Sequence, residues 1–365
     1  MSGREMLLAG VLIAALAPAG AGAHTLGDAA DGHHHSSQPD HATADHEPAL
    51  DAVDAARSLV DAYRRQGDDA LLAQAGRLLG PPLAARPSDP RARLVAAWVA
   101  QAEHRFDDAL AHLDVVLGAQ PDNGEAWLLR AGLALVTGDR AQAAAACRSA
   151  SALMPPAVTV ACLSRVRGMG AGRAASADAY AVFARVLAVQ TTADPELDAW
   201  LQETAGDLAI RAGDAAAAAG HYRAALDRLP TLRVRAALAE VLLASGQPSA
   251  ALDLIDGDAH VAPALVIRRM LALQALGQGP DPAEVARIDA RFQGWIAADE
   301  LQHAREMALF YLTMQPDAAL ARTLAERNLD AQREPEDVAL ACRAGVAAVA
   351  ADGVCSRVVW PLLPG

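Results

Sequence analysis

Apolar and polar positions divide the chain into three stretches. An apolar run from Leu7 to Leu16 follows Arg4, and a polar stretch follows it from His24 to Pro48. From about residue 50 to the end, apolar residues return in helix-length blocks separated by short breaks holding Gly, Pro or Asp. Such blocks predict helices joined by tight turns, and their self-similarity at a fixed interval is the first thing to resolve. The interval is 34 residues.

The unit 124–157 carries Trp127, Ala131, Gly138, Ala143, Ala150 and Pro155 at positions 4, 8, 15, 20, 27 and 32. The preceding unit, 90–123, has Ala97, Phe106, Ala109, Leu113 and Pro121 at positions 8, 17, 20, 24 and 32. A third, 199–232, has Gly206, Gly213, Ala218, Tyr222, Ala225 and Pro230 at 8, 15, 20, 24, 27 and 32. Small residues at 8 and 20 let two antiparallel helices approach closely, the glycine at 15 lets the chain turn, and the proline ends the second helix. Weaker units fall at 53–86, 158–191, 232–265, 263–296, 300–333 and 334–365. One helical pair cannot bury its own apolar face, so neighbours must stack into a right-handed superhelix. The expected fold is all-α, an α-α solenoid of about eight helical pairs over residues 51–365.

These positions are where a tetratricopeptide repeat (TPR) keeps its tryptophan, small residues, turn glycine and final proline, and the chain resembles TPR proteins from residue 50 onward. The segments Arg65-Gln66-Gly67-Asp68, Glu125-Ala126-Trp127-Leu128-Leu129-Arg130-Ala131 and Gln332-Arg333-Glu334-Pro335-Glu336-Asp337 are similar to those of exported proteobacterial TPR proteins of undefined activity. The resemblance implies a binding scaffold and not a catalyst. Its default binding surface is a concave groove lined by first-helix positions 2, 5, 9, 12 and 13. Here these include Arg91, Leu94, Trp98 and Gln101, then Glu125, Leu128 and Leu135, then Trp200, Glu203, Asp207 and Arg211. Trp98 and Trp200 are the expected anchors, because large aromatics dominate protein interfaces; the alternative is that either packs between helices. The family's lysine-based clamp for carboxyl termini is disfavoured, since the chain has no lysine, which leaves an extended or helical peptide or a protein as partner.

Composition sharpens this. The 365 residues are 53% hydrophobic and 21% charged, but only 4% aromatic, so the core is built of small side chains. The net charge is -13, and all 31 basic residues are arginine, which argues against nucleic acid as partner. Residues 1–23 read as a secretory signal, too short and too soon broken by Pro18 to span a bilayer. With no cysteine near the cut there is no lipid anchor, so no membrane insertion is expected after cleavage. The Ala-rich, lysine-free composition points to a bacterial periplasm. The four cysteines, Cys147, Cys162, Cys342 and Cys355, form two local couples 15 and 13 residues apart. In an oxidising compartment they are expected to pair as Cys147–Cys162 and Cys342–Cys355, the alternative being four buried thiols. The repeat register puts Cys147 and Cys162 on successive antiparallel helices, within reach of the 4.4–6.8 Å Cα separation a disulfide needs.

Residues 24–50 form a His/Asp-rich linker expected to be disordered. His24, His33, His34, His35, His41 and His46 are candidate ligands for Zn, Ni or Cu, which makes a metal-handling accessory protein the alternative function; the bland reading is a solvating linker. If the signal is cut after Ala21, the new terminus Gly22-Ala23-His24 could form a square-planar Cu(II) or Ni(II) site; a cut after Ala23 removes it. No catalytic constellation is present in the sequence, and the protein is read as no enzyme. His303 and Glu306, one helical turn apart near Glu300 and Arg305, read as a surface ion cluster, and Asp256, Asp258 and His260 as a polar turn.

Overall fold

The helices start where the sequence offers a side-chain acceptor or a proline. Asp68, Asp89, Asn123, Asp139, Asp194, Asp214, Asp281 and Asp317 each accept hydrogen bonds from backbone N–H groups of the helix they precede, and Pro90, Pro195 and Pro282 take the first turn, where their missing N–H costs nothing. The computed structural model describes residues 8–9, 12–13, 47–169, 172–255, 262–300, 302–351 and 354–356.

Among them are nine helical pairs: α1 (Glu47–Gln66) with α2 (Asp69–Ala85), α3 (Pro90–Ala102) with α4 (Phe106–Ala119), α5 (Gly124–Val136) with α6 (Arg140–Ala150), and α7 (Pro156–Gly168) with α8 (Gly172–Leu187). There follow α9 (Pro195–Arg211) with α10 (Ala215–Arg228), α11 (Leu232–Ala244) with α12 (Pro248–Ile255), α13 (Pro263–Ala275) with α14 (Pro282–Ala297), α15 (Ala304–Thr313) with α16 (Ala318–Ala331), and the short ninth pair α17 (Pro335–Arg343) and α18 (Ala347–Ala351). Eight full pairs and a truncated ninth make the α-α superhelix that the 34-residue interval predicts. The one departure is a two-residue antiparallel ladder, β1 (Leu8–Ala9) with β2 (Leu12–Ile13), before the solenoid. Helix α1 begins at Glu47 and so takes up residues 47–50, which the sequence left in the linker.

The small-residue rule holds in atomic detail. Ala97 and Ala109, Ala131 and Ala143, and Ala239 and Ala251 are wholly buried between the helices of their pairs. At Gly206 a Cβ would lie 2.5 Å from Cε1 of Tyr222, so only glycine lets α9 and α10 close on that ring. The turn at Gly138 has φ 86°, a conformation that costs glycine nothing. In the second pair His104 stands at that repeat position with φ 58°. The core is a chain of clusters, α1 to α5, then α5 to α9, then α9 to α17, each repeat packing on the next as a solenoid requires.

Both expected cysteine pairs are disulfide-bonded. Cys147 and Cys162 join α6 to α7 with Cα atoms 5.8 Å apart, and Cys342 joins α17 to Cys355 at 5.6 Å.

The expected open inner groove is corrected. Gly67, after α1, abuts Leu232 and Ala262, where a Cβ would be 2.8 Å from that of Ala262. His303 Nε2 lies 3.1 Å from Asp69 Oδ2, and the Arg333 N–H donates to the Val136 carbonyl at 2.7 Å. The first pair therefore meets the sixth, seventh and eighth across the concave side, and the end of the eighth meets the third. Small rotations between neighbours accumulate over nine pairs into curvature, which no local spacing encodes.

Candidate functional site

The concave side narrows to a cavity of about 280 Å³. Its walls come from inner helices that are remote in sequence. Helix α1 gives Tyr63 and Arg64, α3 gives Trp98 and Gln101, α9 gives Glu196, Trp200 and Glu203, and α11 gives Arg233 and Glu240. Arg268 comes from α13, Arg305 and Glu306 from α15, and Glu334 and Glu336 from the start of the ninth pair. Glu196, Ala199, Trp200 and Glu203 recur at three- and four-residue steps, one helical face turned inward.

Of the residues expected in the groove, Trp98, Gln101, Trp200 and Glu203 come together here. Trp98 is also a packing residue, buried, with its indole N–H donating to Glu125 Oε1 at 3.0 Å; the same carboxylate oxygen accepts from Arg57 at 3.1 Å. Leu94, Leu128 and Leu135 sit instead in the apolar clusters between helices, and Arg91 pairs with Asp54 on α1 away from the cavity. Asp207 and Arg211 lie deeper than the cavity wall: Asp207 accepts from Tyr222 at 2.8 Å and from Arg233 at 2.7 Å, while Arg211 lies 3.8 Å from Glu334 and 3.7 Å from Glu336. His303 and Glu306 are cavity residues and not a surface ion cluster; His303 stacks on Trp295 with ring centroids 4.8 Å apart while facing Asp69.

The electrostatics follow from burial. Glu196 is half-buried and its carboxyl is raised to about 7, by desolvation first and the nearby Asp61 and Asp194 second. Desolvation likewise lifts Asp61 to about 6. Burial, and then the neighbouring His303, depresses His104 to about 4. Burial pulls the Arg233 guanidinium down, but Asp207 and Glu203 outweigh it and hold it well above its ordinary range. The cavity thus offers aromatic walls with fixed charges of both signs.

Sequence reasoning missed Arg233, Glu240, Arg165, Glu334 and Glu336. The position rule would have found Arg233 and Glu240, which stand at 2 and 9 of unit 232–265. Arg165 stands at position 8 of unit 158–191, where the repeat wants a small residue, and that breach is itself a signal. Nothing local marks Glu334 or Glu336 as inner-face residues.

No metal-capable group of three or more His, Cys, Asp or Glu side chains occurs among the described residues. His24, His33, His34, His35, His41 and His46 lie outside the described residues, as do Asp256, Asp258 and His260 and most of the signal segment. No helix among the described residues is long and apolar enough to cross a membrane.

No protein-family model and no curated protein matches the chain. Among solved structures, the crystal structure of the TPR domain of P58(IPK) aligns with 84% of this chain and 99% of that one, at 16% identity and a TM-score of 0.30. So loose a superposition bears on neither curvature nor partner; the pairing of the helices carries the fold. The chain is similar in fold to tetratricopeptide-repeat proteins.

Proposed function

We propose that the protein is an exported interaction scaffold that takes a peptide or protein partner on its concave face. The observation that carries this reading is the cavity itself. Two tryptophans from helices about a hundred residues apart both line it beside fixed charges, the mixture of large apolar anchors and few polar groups that binding pockets use. Stacked helical pairs supply such a surface without forming a catalytic arrangement. Export is supported by the apolar leader and by two disulfides, which are compatible with an oxidising compartment.

The test is cross-linking capture from the secreted or periplasmic fraction with the wild type and with Ala237→Trp, which fills the cavity from a half-buried wall position. Trp200→Ala serves as the second variant. Both should lose partners that the wild type retains. An unchanged set of partners with folded variants would place the binding surface elsewhere.

A further inference from the structure

Residues 332–336 cross from the eighth helical pair to repeats that are not their neighbours. The Gln332 amide lies 3.2 Å from His104 Nδ1 in the second pair, and the Arg333 N–H donates to Val136 in the third. These contacts carry Glu334 and Glu336 onto the concave side of the fourth to sixth pairs. There α7, α9 and α11, three successive inner helices, bring in Arg165, Arg211 and Arg233; Arg233 is already bonded to Glu203 at 2.6 Å and Asp207 at 2.7 Å, which leaves Arg165 and Arg211 to the two glutamates.

The seating is electrostatically apt but geometrically incomplete. Arg211 is 2% exposed, yet none of its three guanidinium nitrogens has a hydrogen-bond partner. Its nearest counter-charges, Glu334 Oε1 at 3.8 Å and Glu336 Oε2 at 3.7 Å, are equally without hydrogen bonds. Arg165 is 4% exposed and makes no ion pair among the described residues; burial lowers its pKa, with Glu334 the leading charge that opposes this. Buried charges that attract one another without hydrogen bonds recover only part of their lost hydration. A carboxylate free of the chain's own tether could close to 2.7–2.9 Å and bond a guanidinium through two N–H groups, the stronger geometry. The rest of the segment is held by the Arg333 N–H on Val136, the Gln332 amide 3.2 Å from His104, the Arg333 side chain against Gly138, and Arg305 3.8 Å from Glu336.

We propose that Glu334 and Glu336 are internal occupants of an acidic-segment site formed by Arg165 and Arg211, and that an extended acidic segment of the partner protein displaces them. Binding and opening of the closed superhelix are then one event. A chain of net charge -13 uses this arginine pair to accept a carboxylate-rich ligand, and its own ninth repeat keeps the pair covered when no partner is present. The inference rests on the concave-face reading above and gives that face a ligand chemistry.

The experiment uses the full chain, a fluorescent peptide with the sequence of residues 331–338, and the same peptide with both glutamates changed to glutamine. In the variant Glu334→Gln/Glu336→Gln the acidic peptide should bind about tenfold more tightly than to wild type, because the competing internal occupant is weakened. Adding Arg211→Met should abolish binding, and the glutamine peptide should not bind. If the variant does not fold, hydrogen exchange on the wild type decides: saturating acidic peptide should speed exchange of the Arg333 amide, which Val136 otherwise protects. Equal binding of the two peptides would overturn acidic recognition while leaving the concave-face reading intact. No binding to a folded variant at millimolar peptide, or unchanged Arg333 exchange in wild type, would overturn the proposal outright. Failure of the concave-face reading has a different signature, partner capture insensitive to Ala237→Trp.

Discussion

The interiors of the helical pairs and the concave face are both buried, but they are built of opposite chemistry. Between paired helices the close contacts are Ala on Ala or Gly on Tyr, and the buried polar atoms there are paired, as the Tyr222 hydroxyl is with Asp207 at 2.8 Å. On the concave side Arg211, Arg268, Glu334 and Glu336 are nearly as hidden, and each has at least one nitrogen or oxygen without a hydrogen-bond partner. Close packing of small apolar groups is where a solenoid gains its stability. Buried charges held at 3.7–3.8 Å without hydrogen bonds contribute little to stability. The contrast separates the part of the molecule that must hold from the part that can be opened.

The largest expected effect sets the two regions against each other by introducing a leucine in each. Gly206→Leu drives a side chain into Tyr222 and should cost on the order of 3 kcal/mol in urea unfolding. Ala237→Leu, on the cavity wall, should cost less than about 1 kcal/mol. Equal costs would erase the distinction. Next comes the crosslink between α6 and α7: replacing Cys147 and Cys162 by alanine should lower stability by about 3 kcal/mol, and urea midpoints under oxidising and reducing conditions would check it, since reduction should bring wild type to the variant.

A smaller effect of the opposite sign is expected on the concave face. The triple change Arg211→Met, Glu334→Gln and Glu336→Gln removes three of the buried charges at once, and its stability should equal the wild type's or exceed it by about 1 kcal/mol. A loss above about 3 kcal/mol, the size expected for breaking a needed buried pair, would show that these charges hold the fold.

The smallest effect is a pH dependence. The Glu196 carboxyl rises from 4.5 to about 7 on folding, so the folded chain binds the proton more tightly than the unfolded one does. Its contribution is complete below pH 4.5 and is lost as pH rises through 7. Glu196→Gln should therefore match the wild type near pH 4.5 and exceed it at pH 8 by under about 1 kcal/mol, discounted because the side chain is only half-buried. Paired denaturation curves at the two pH values are the measurement, and a constant offset would remove Glu196 as the titrating group.

How much of this was legible follows the same division. Ala97, Ala131, Gly206 and their partners one helix later could be read directly, because the approach of paired helices depends on residues about a dozen apart. The disulfide between Cys147 and Cys162 was readable for the same reason. Trp98 and Trp200 both line the cavity, yet nothing near them in the chain shows that they share it, since the cavity joins the second pair to the fifth. Leu94 and Leu128, expected on the groove, lie in the apolar clusters between helices and not on the cavity wall.

The sequence by itself determined the helical pairs, their close contacts, their caps and their stapling, all of which are set by physics acting over one 34-residue interval. Only the tertiary structure decided that the superhelix closes, that His303 meets Asp69 and Arg333 meets Val136, and that Glu334 and Glu336 come to rest against arginines more than a hundred residues away. The reason is cumulative geometry. A small rotation at each interface is hardly visible in any one repeat, yet summed over nine pairs it fixes which ends touch and leaves the charged inner face enclosed.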